Sequence, residues 1–536
     1  MTSMWKWICA FTVVAMATVL PVMAQGGPQQ VEVYQAVAGN WSKQLRDMAP
    51  GTVNLPGPAQ AVFLGRIPFS GTQAEGPDAA AQTTPLPSQT LAPTAGAGFE
   101  GLYSGAGGTP QYAPGDTNGA AGTTQYVQWV NAVFAIFDKA SGTIVEYGGP
   151  FAGNTPWQGF GGGCERNNDG DPIVQFDKLA QHWVFTQFSV STKPYLQCFA
   201  ISQTDDARGP YFRFAFSFGN SDFPDYPKLG IMPNGYYMSF NIFKNGFSFS
   251  GPRACAIDRS KALSGIAPTM ICFSLKSSYG TLLPADLDGT TLPSDTTRDF
   301  FVAYGSNSLQ VWTMKPNFIT PSSSTMTGPL TLPVAAFSRA CSGGACIPQP
   351  GTGQKLDSLA DRLMYRLAYR KWTDGKLVDH ESMVVNHSVT SPSSASAIRW
   401  YELQVSGSDV RVVQQGTYAP AGDVARWMGS IAMNSCGDIA VGYSVSNGST
   451  VSPVYPGIRA TGRLATDTPD LLQTETILQD GTGSQSPNLS RWGDYASMSV
   501  DPKDDSTFWF TTQYMAGSGT FNWHTRIVPM KFSTCP

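Results

Sequence analysis

At 536 residues the chain could form one large domain or several small ones, yet 34 Lys+Arg and 38 Asp+Glu leave a net charge of -4 and only 13% charged residues, where about 25% is usual. Such a chain has no basic stripe for nucleic acid, and that class of partner is excluded. Aromatics reach 12%, and 56 Gly with 39 Pro cut the chain into short pieces, so the expected fold is all-β with short strands and many turns.

Residues 1–24 carry a single charge, Lys6, then an apolar run from Ile8 to Leu20 that closes on Val22-Met23-Ala24. This is the build of a secretory signal peptide, and a run of roughly 13 apolar residues is too short for a bilayer, which needs about 20. Cys9 lies inside the run rather than after it, so the leader does not read as that of a lipoprotein. Export to the extracellular space or cell surface is therefore expected, with no membrane span after cleavage. From 25 to 122 the chain is rich in Ala, Gly, Pro and Thr, and reads as a loosely ordered arm.

Beyond residue 122 the texture changes to short alternating strands. Ile173 to Phe188, Leu229 to Phe243, Ile431 to Ser444 and Met498 to Tyr514 share one plan: a strand of small apolar residues, a turn of Asp, Pro, Asn or Gly, and an aromatic strand. That is the inner hairpin of a propeller blade, with small residues near the axis and bulky ones between blades. Further strands are expected over Tyr126 to Tyr147, Phe300 to Trp312, Arg362 to Trp372, Ser382 to Val389 and Ile398 to Val405, with one short helix at Asp258 to Ser264. The spacing predicts a β-propeller of about seven blades over 123–536, six or eight being the neighbouring counts and a β-sandwich the structural alternative. Residues 319–356 read as a long insertion between blades.

Without the leader eight cysteines remain: Cys164, Cys198, Cys255, Cys272, Cys341, Cys346, Cys436 and Cys535. An even number in an exported chain implies disulfides. Proximity suggests Cys164 with Cys198, Cys255 with Cys272 and Cys341 with Cys346, leaving Cys436 for Cys535.

If the repeat holds, the residues just before each inner strand gather at one mouth of the central channel. They are Asp171, Asp225 with Tyr226, Asp286 or Asp288, Asp361 with Arg362, Arg426 with Trp427, and Arg491 with Trp492 and Asp494. Carboxylates, guanidinium groups and rings around one funnel suit a glycan or another hydroxylated polymer. The same residues could instead brace neighbouring blades, because Asp in propeller turns hydrogen-bonds backbone amides. Whether any reaction is catalysed stays open: the alternatives are a glycoside hydrolase or polysaccharide lyase using funnel carboxylates, and a purely structural envelope protein. Oligomeric state is not legible.

Other patterns are weaker. Three Arg-Trp dipeptides, at Arg399, Arg426 and Arg491, with Tyr401-Glu402 nearby, faintly echo the arginine triad and Tyr-Glu pair of sialidases, but Asp501 to Trp509 is a poor match to their Asp-box. Asp379-His380-Glu381 with His387 looks like a metal cluster, yet on a strand Glu381 and His387 stand about 20 Å apart, and a polar strand face is the better reading. Asn167-Asn168-Asp169-Gly170-Asp171 is oxygen-rich enough for calcium but lacks the spaced ligands and closing Glu of an EF-hand. No metal or other cofactor is assigned from the sequence.

The phrases Asn168-Asp-Gly-Asp-Pro-Ile-Val-Gln-Phe-Asp177, Arg362-Leu-Met-Tyr-Arg-Leu-Ala-Tyr-Arg370, Val385-Asn-His-Ser388, Arg426-Trp-Met-Gly-Ser-Ile-Ala-Met433 and Arg491-Trp-Gly-Asp-Tyr-Ala-Ser-Met-Ser-Val-Asp-Pro502 together resemble a family of exported bacterial proteins with a propeller-like domain. The resemblance covers about Tyr126 to Cys535. It implies export and fold, and brings no catalytic residues with it.

Overall fold

Seven four-stranded blades stand around one axis in the computed structural model, which describes residues 30–48, 60–61, 67, 78–87, 91–93, 98–109, 111–374 and 376–535. In chain order they occupy residues 117–152, 173–219, 222–274, 283–333, 364–418, 425–479 and 497–532. The innermost strands are Thr117–Ala121, Ile173–Asp177, Asp222–Met232, Leu283–Leu287, Met364–Thr373, Ala425–Met433 and Ser497–Val500. Each touches the next, and the contact between the last and the first closes the ring. Each blade then steps outward through antiparallel hairpins, as in Ile173↔Thr186 followed by Thr186↔Phe199 and Phe199↔Phe214.

The four hairpins that carry the sequence repeat form the first two strands of blades 2, 3, 6 and 7. Crowding at the axis explains their small residues. In blade 1 a Cβ on Gly119 would stand 2.5 Å from the Tyr126 hydroxyl, so the inner strand Thr-Asn-Gly-Ala-Ala cannot show the usual apolar alternation. Farther from the axis the space between blades widens, and it is filled by buried Trp129, Trp183, Trp312, Trp400 and Trp523.

Two boundaries differ from expectation. The blades begin at Thr117, inside the segment expected to be a loose arm, and that segment also supplies strands to the rim. Val31–Gln35 pairs with blade 3, Ala38–Trp41 with blade 2, Ala81–Gln82 with blade 5, and Leu91–Pro93 and Phe99–Tyr103 with blade 7. Blade 7 contributes only three strands of its own, and this N-terminal pairing completes it and joins the two ends of the chain. The expected insertion at 319–356 is partly blade 4: Thr325–Pro333 is its outermost strand, pairing with Ser308–Lys315. Gly328 and Pro329 disguise it in the sequence, but an outer edge tolerates a proline because its N–H would face no neighbour. The signal segment lies outside the described residues.

Four disulfides join Cys164–Cys198, Cys255–Cys272, Cys341–Cys346 and Cys436–Cys535. The last spans 99 residues and fixes a turn of blade 6 to the C-terminus. The helix expected after Asp258 runs over Arg259–Leu263, and the Asp258 carboxylate accepts from the Lys261 N–H at 3.2 Å to cap it. No helix among the described residues is long and apolar enough to cross a membrane.

Candidate functional site at the channel mouth

All seven inner strands start at the same end of the channel, so the residues that lead into them share one rim. The backbone there is forced into an unusual shape. Asp116, Asp171, Tyr226, Met428 and Asp494 have φ of 43°, 46°, 55°, 56° and 62°, a left-handed conformation that side-chain-bearing residues rarely adopt. Strain of this kind costs of order 1–3 kcal/mol per residue and collects at functional sites.

Asp171, Asp225, Tyr226, Asp361, Arg362, Arg491 and Asp494 meet at this mouth, joined by Asp116, Lys228 and Tyr495. The Tyr226 N–H donates to Asp171 at 3.1 Å and its hydroxyl to the Asp494 carbonyl at 2.9 Å. Arg362 is held by Asp361 at 2.7 and 3.1 Å, and its guanidinium lies 4.3 Å from the Tyr226 ring centroid. Arg491 pairs with Asp494. The Lys228 ammonium sits between two rings, 3.5 Å from Tyr226 and 4.0 Å from Tyr495, and it donates to the Pro227 carbonyl at 2.8 Å.

Burial and like charge move these groups away from their ordinary titration. Desolvation, with Asp171 and Asp494 close by, pushes the Asp225 carboxyl up to about 8 against the pull of Arg362 and Lys228. The Asp171 carboxyl rises to about 6 through burial and the nearby Asp494, although Lys228 draws it down. Asp116 is also raised, by burial and then by Asp494 and Asp171. Lys228 is lowered to about 7 because burial outweighs the attraction of Asp171 and Asp116. Three polar atoms here have no hydrogen-bond partner although they are buried: Asp116 Oδ1, Asp225 Oδ2 and Arg362 Nη1.

Other sequence candidates lie elsewhere. The Arg426 guanidinium is taken by Glu475 through two 2.9 Å contacts, away from the mouth. Trp427 and Trp492 are wholly buried with centroids 5.9 Å apart, and Trp492 Nε1 donates to Ser444 Oγ at 3.1 Å, so their rings pack blade against blade and offer no stacking surface. Tyr226 is buried as well, its ring face occupied by cations. Asp286 and Asp288 lie farther down the channel, in a clamp around Arg366. Asp286 receives Arg366 at 3.0 Å, Gln175 of blade 2 at 2.8 Å and the Ile231 N–H of blade 3 at 3.0 Å. Asp288 receives Arg366 and Lys178, and Arg366 reaches the Met498 carbonyl of blade 7 at 2.8 Å.

The three arginines of the Arg-Trp dipeptides do not converge: Arg399 is buried against Asp78, Arg426 against Glu475, and only Arg491 is at the mouth. Tyr401 meets His387 at 3.0 Å, while Glu402 accepts from Ser382 and Gln414. His380 faces Asp374 at 3.2 Å and Glu381 accepts from Tyr369 and the Ser294 N–H, so that strand gathers no metal cluster. In the oxygen-rich loop the Asp169 carboxylate is occupied by the N–H groups of Val190 and Ser191 and by the Ser191 hydroxyl.

Asp116 and Lys228 escape the sequence pattern. A signal for the first exists: Gly-Asp precedes the inner strand at Gly115-Asp116, Gly170-Asp171 and Gly493-Asp494. Lys228 looks like an ordinary strand lysine, and only the ring of blades makes it buried.

No family model matches the chain, and no curated protein matches it either. Among solved structures it is similar to an endo-arabinase from Bacteroides thetaiotaomicron (10% identity, 67% of this chain and 93% of that one, TM-score 0.27). It is also similar to the WD40 domain of SCAP from fission yeast (8% identity, 76% and 93%, TM-score 0.30) and to the polysaccharide lyase Uly1 (10% identity, 94% and 99%, TM-score 0.23). Likenesses this distant say nothing about ligand or reaction. The seven-bladed ring rests on the strand pairing itself.

Proposed function

We propose that the protein is an exported propeller that binds an extracellular glycan at the mouth of its central channel. One observation carries this reading. Asp116, Asp225 and Arg362 have buried polar atoms with no partner at a rim where Asp171 and Asp225 keep only a minor part of their surface exposed, and an unpaired buried polar atom costs about 1–3 kcal/mol unless a ligand or water completes it. A hydroxyl both donates and accepts, so a polyhydroxylated ligand can answer carboxylate and guanidinium together. Four disulfides fit an oxidising compartment.

A second reading, cleavage of the bound glycan, is favoured by the titration of the rim. An acid pushed to about 8 is protonated at neutral pH, and general acid catalysis of glycosidic cleavage needs such a group beside a second carboxylate. Asp225 would protonate the leaving oxygen and the Arg491-paired Asp494 would stabilise or attack the opposite side of the sugar.

The test is a screen of the mature protein against neutral and acidic polysaccharides, scored for both retention and released product, with Asp225→Asn and Arg362→Met alongside. Retention lost in both variants supports the glycan-binding mouth. Product release that Asp225→Asn abolishes while retention persists makes the protein an enzyme. Folded protein that neither retains nor cleaves any probe removes both readings and leaves the bracing role.

A further inference from the structure

The inner strand of blade 5 begins beside Arg362 at the mouth and ends about 30 Å away, at about 3.3 Å per residue, on the opposite face of the ring. There, between blades 5 and 6, lies a cavity of about 710 Å³ walled by Trp372, His380, Glu402, Gln414, Gly437 and Arg463. That volume is within the range of small-molecule sites, about 300–1,000 Å³.

Its chemistry is one-sided. Arg463, at the end of the strand Gly457–Arg463, is 2% exposed, yet forms no ion pair among the described residues. It donates to the Asp467 carbonyl at 2.7 Å, and its Nε is buried with no acceptor. Arg362, Arg366, Arg370, Arg399 and Arg426, each at most 5% exposed, all have a carboxylate, and Arg213, which has none, is satisfied by the Asn40 side chain and three backbone carbonyls. Trp372 Nε1 also lacks an acceptor. The acceptors of the cavity are already engaged: Glu402 receives Ser382 at 2.7 Å on one oxygen and Gln414 at 2.6 Å on the other. Arg463 Nε and Trp372 Nε1 are donors of this wall left without an acceptor, while both Glu402 oxygens already accept, so a ligand that brings acceptors suits it better than one that brings donors.

The same wall presents a flat apolar slab. The Trp372 and His380 rings stack with centroids 4.5 Å apart and 19° between planes. The indole edge reaches across to blade 6 because residue 437 is glycine: a Cβ there would come within 2.6 Å of the ring. Charge then narrows the ligand. Glu402, Asp467, Asp470 and Asp438 all lie close enough to Arg463 to act on it, while Asp374 and Lys376 also line the cavity. An anion would meet this surrounding negative charge, whereas a neutral sugar brings ring and hydroxyl oxygens to the donors and a C–H face to the slab.

The geometry points to a second saccharide site, on the face opposite the mouth, in which Trp372 and Arg463 hold a neutral glycan unit. It does not depend on the reading of the mouth. Calorimetric titration with neutral xylo-, cello- and arabino-oligosaccharides and with oligogalacturonate tests it, using the mature protein and the variants Asp225→Asn, Trp372→Ala, Trp372→Phe and His380→Ala. In Asp225→Asn, saturable binding of a neutral probe should persist; Trp372→Ala should weaken that binding tenfold or more, and Trp372→Phe and His380→Ala less, with unfolding temperature checked for each. Binding that vanishes in Asp225→Asn and survives in Trp372→Ala overturns this site and leaves the mouth standing. Two saturable sites in the unaltered protein, of which Asp225→Asn removes one and Trp372→Ala the other, keep both; a single site that Trp372→Ala alone removes keeps this site and removes the mouth. No binding of any neutral probe at millimolar concentration, or tighter binding of oligogalacturonate, also overturns it.

Discussion

The channel holds two clusters of buried charge made from the same residue types, and they are built to opposite ends. In the clamp, Arg366 pairs with both Asp286 and Asp288, while Lys178, Gln175, the Ile231 N–H and the Met498 carbonyl bring in blades 2, 3 and 7. Charges there are matched and the contacts cross from blade to blade. At the mouth, Asp116, Asp171 and Asp225 press on one another, Lys228 rests between rings, and three polar atoms have no partner. The clamp gives each of its carboxylates a cation, whereas the mouth gathers more carboxylates than cations; a buried oxygen without a hydrogen bond occurs in the clamp too, at Asp288 Oδ1 beside Lys178, so it is the surplus of negative charge that sets the mouth apart. On the proposed reading, the difference is that between a brace and a binding mouth.

The comparison breaks hardest at the clamp. Arg366→Met leaves two buried carboxylates without their cation, and removal of one partner from a buried ion pair costs about 3–5 kcal/mol. Chemical denaturation should show a loss of that size, with the blades still assembling at low temperature. A loss under 1 kcal/mol would mean that the clamp is not the brace that its contacts suggest.

At the mouth the larger signature is pH dependence. A carboxyl raised in the folded state binds its proton more tightly there than in the unfolded chain, so its contribution to stability is greatest at low pH and falls as pH rises toward the folded value. Asp171 and Asp225 should therefore make the fold progressively less stable from about pH 4 through about 6 and about 8. Lys228, lowered to about 7, works in the other direction: between about 7 and 10.5 the unfolded chain holds more protons, and stability recovers with rising pH. Thermal unfolding across pH 4 to 10 should pass through a minimum near pH 7 to 8. In Asp225→Asn the descent should shorten, and in Lys228→Met the recovery should vanish. A flat profile would place these groups in ordinary solvent.

How far the sequence reaches follows from the same geometry. The propeller, its seven blades and three of the four disulfide pairs are legible because each depends on local signals: hairpins with small-then-aromatic strands, and cysteines close in the chain; Cys436–Cys535, 99 residues apart, follows only as the pair left over. The inner strand at Thr117 is not legible, because residues next to the axis must be small and so imitate a disordered arm. Thr325–Pro333 hides behind its Gly-Pro for the related reason that an outer edge permits them. At the rim, Asp171, Asp225, Arg362 and Asp494 can be placed by their offset from the repeat. The direction of a side chain cannot, and Arg426, one residue from Trp427 at the equivalent offset, turns to Glu475. Lys228 becomes distinctive only when seven strands bury it.

The smallest effect gives the sharpest contrast. At pH 7 Asp225, with its carboxyl near 8, is mostly protonated, and asparagine matches a protonated aspartate in shape and charge. Asp225→Asn should therefore change stability at pH 7 by no more than about 1 kcal/mol, the scale of one hydrogen bond. Asp286→Asn replaces a carboxylate that Arg366 holds at 3.0 Å and should cost several times as much. Equal losses in the two variants would make both rings of charge structural. A cheap Asp225→Asn that also loses glycan retention would show that the mouth is kept for a ligand, since the fold itself barely uses the group.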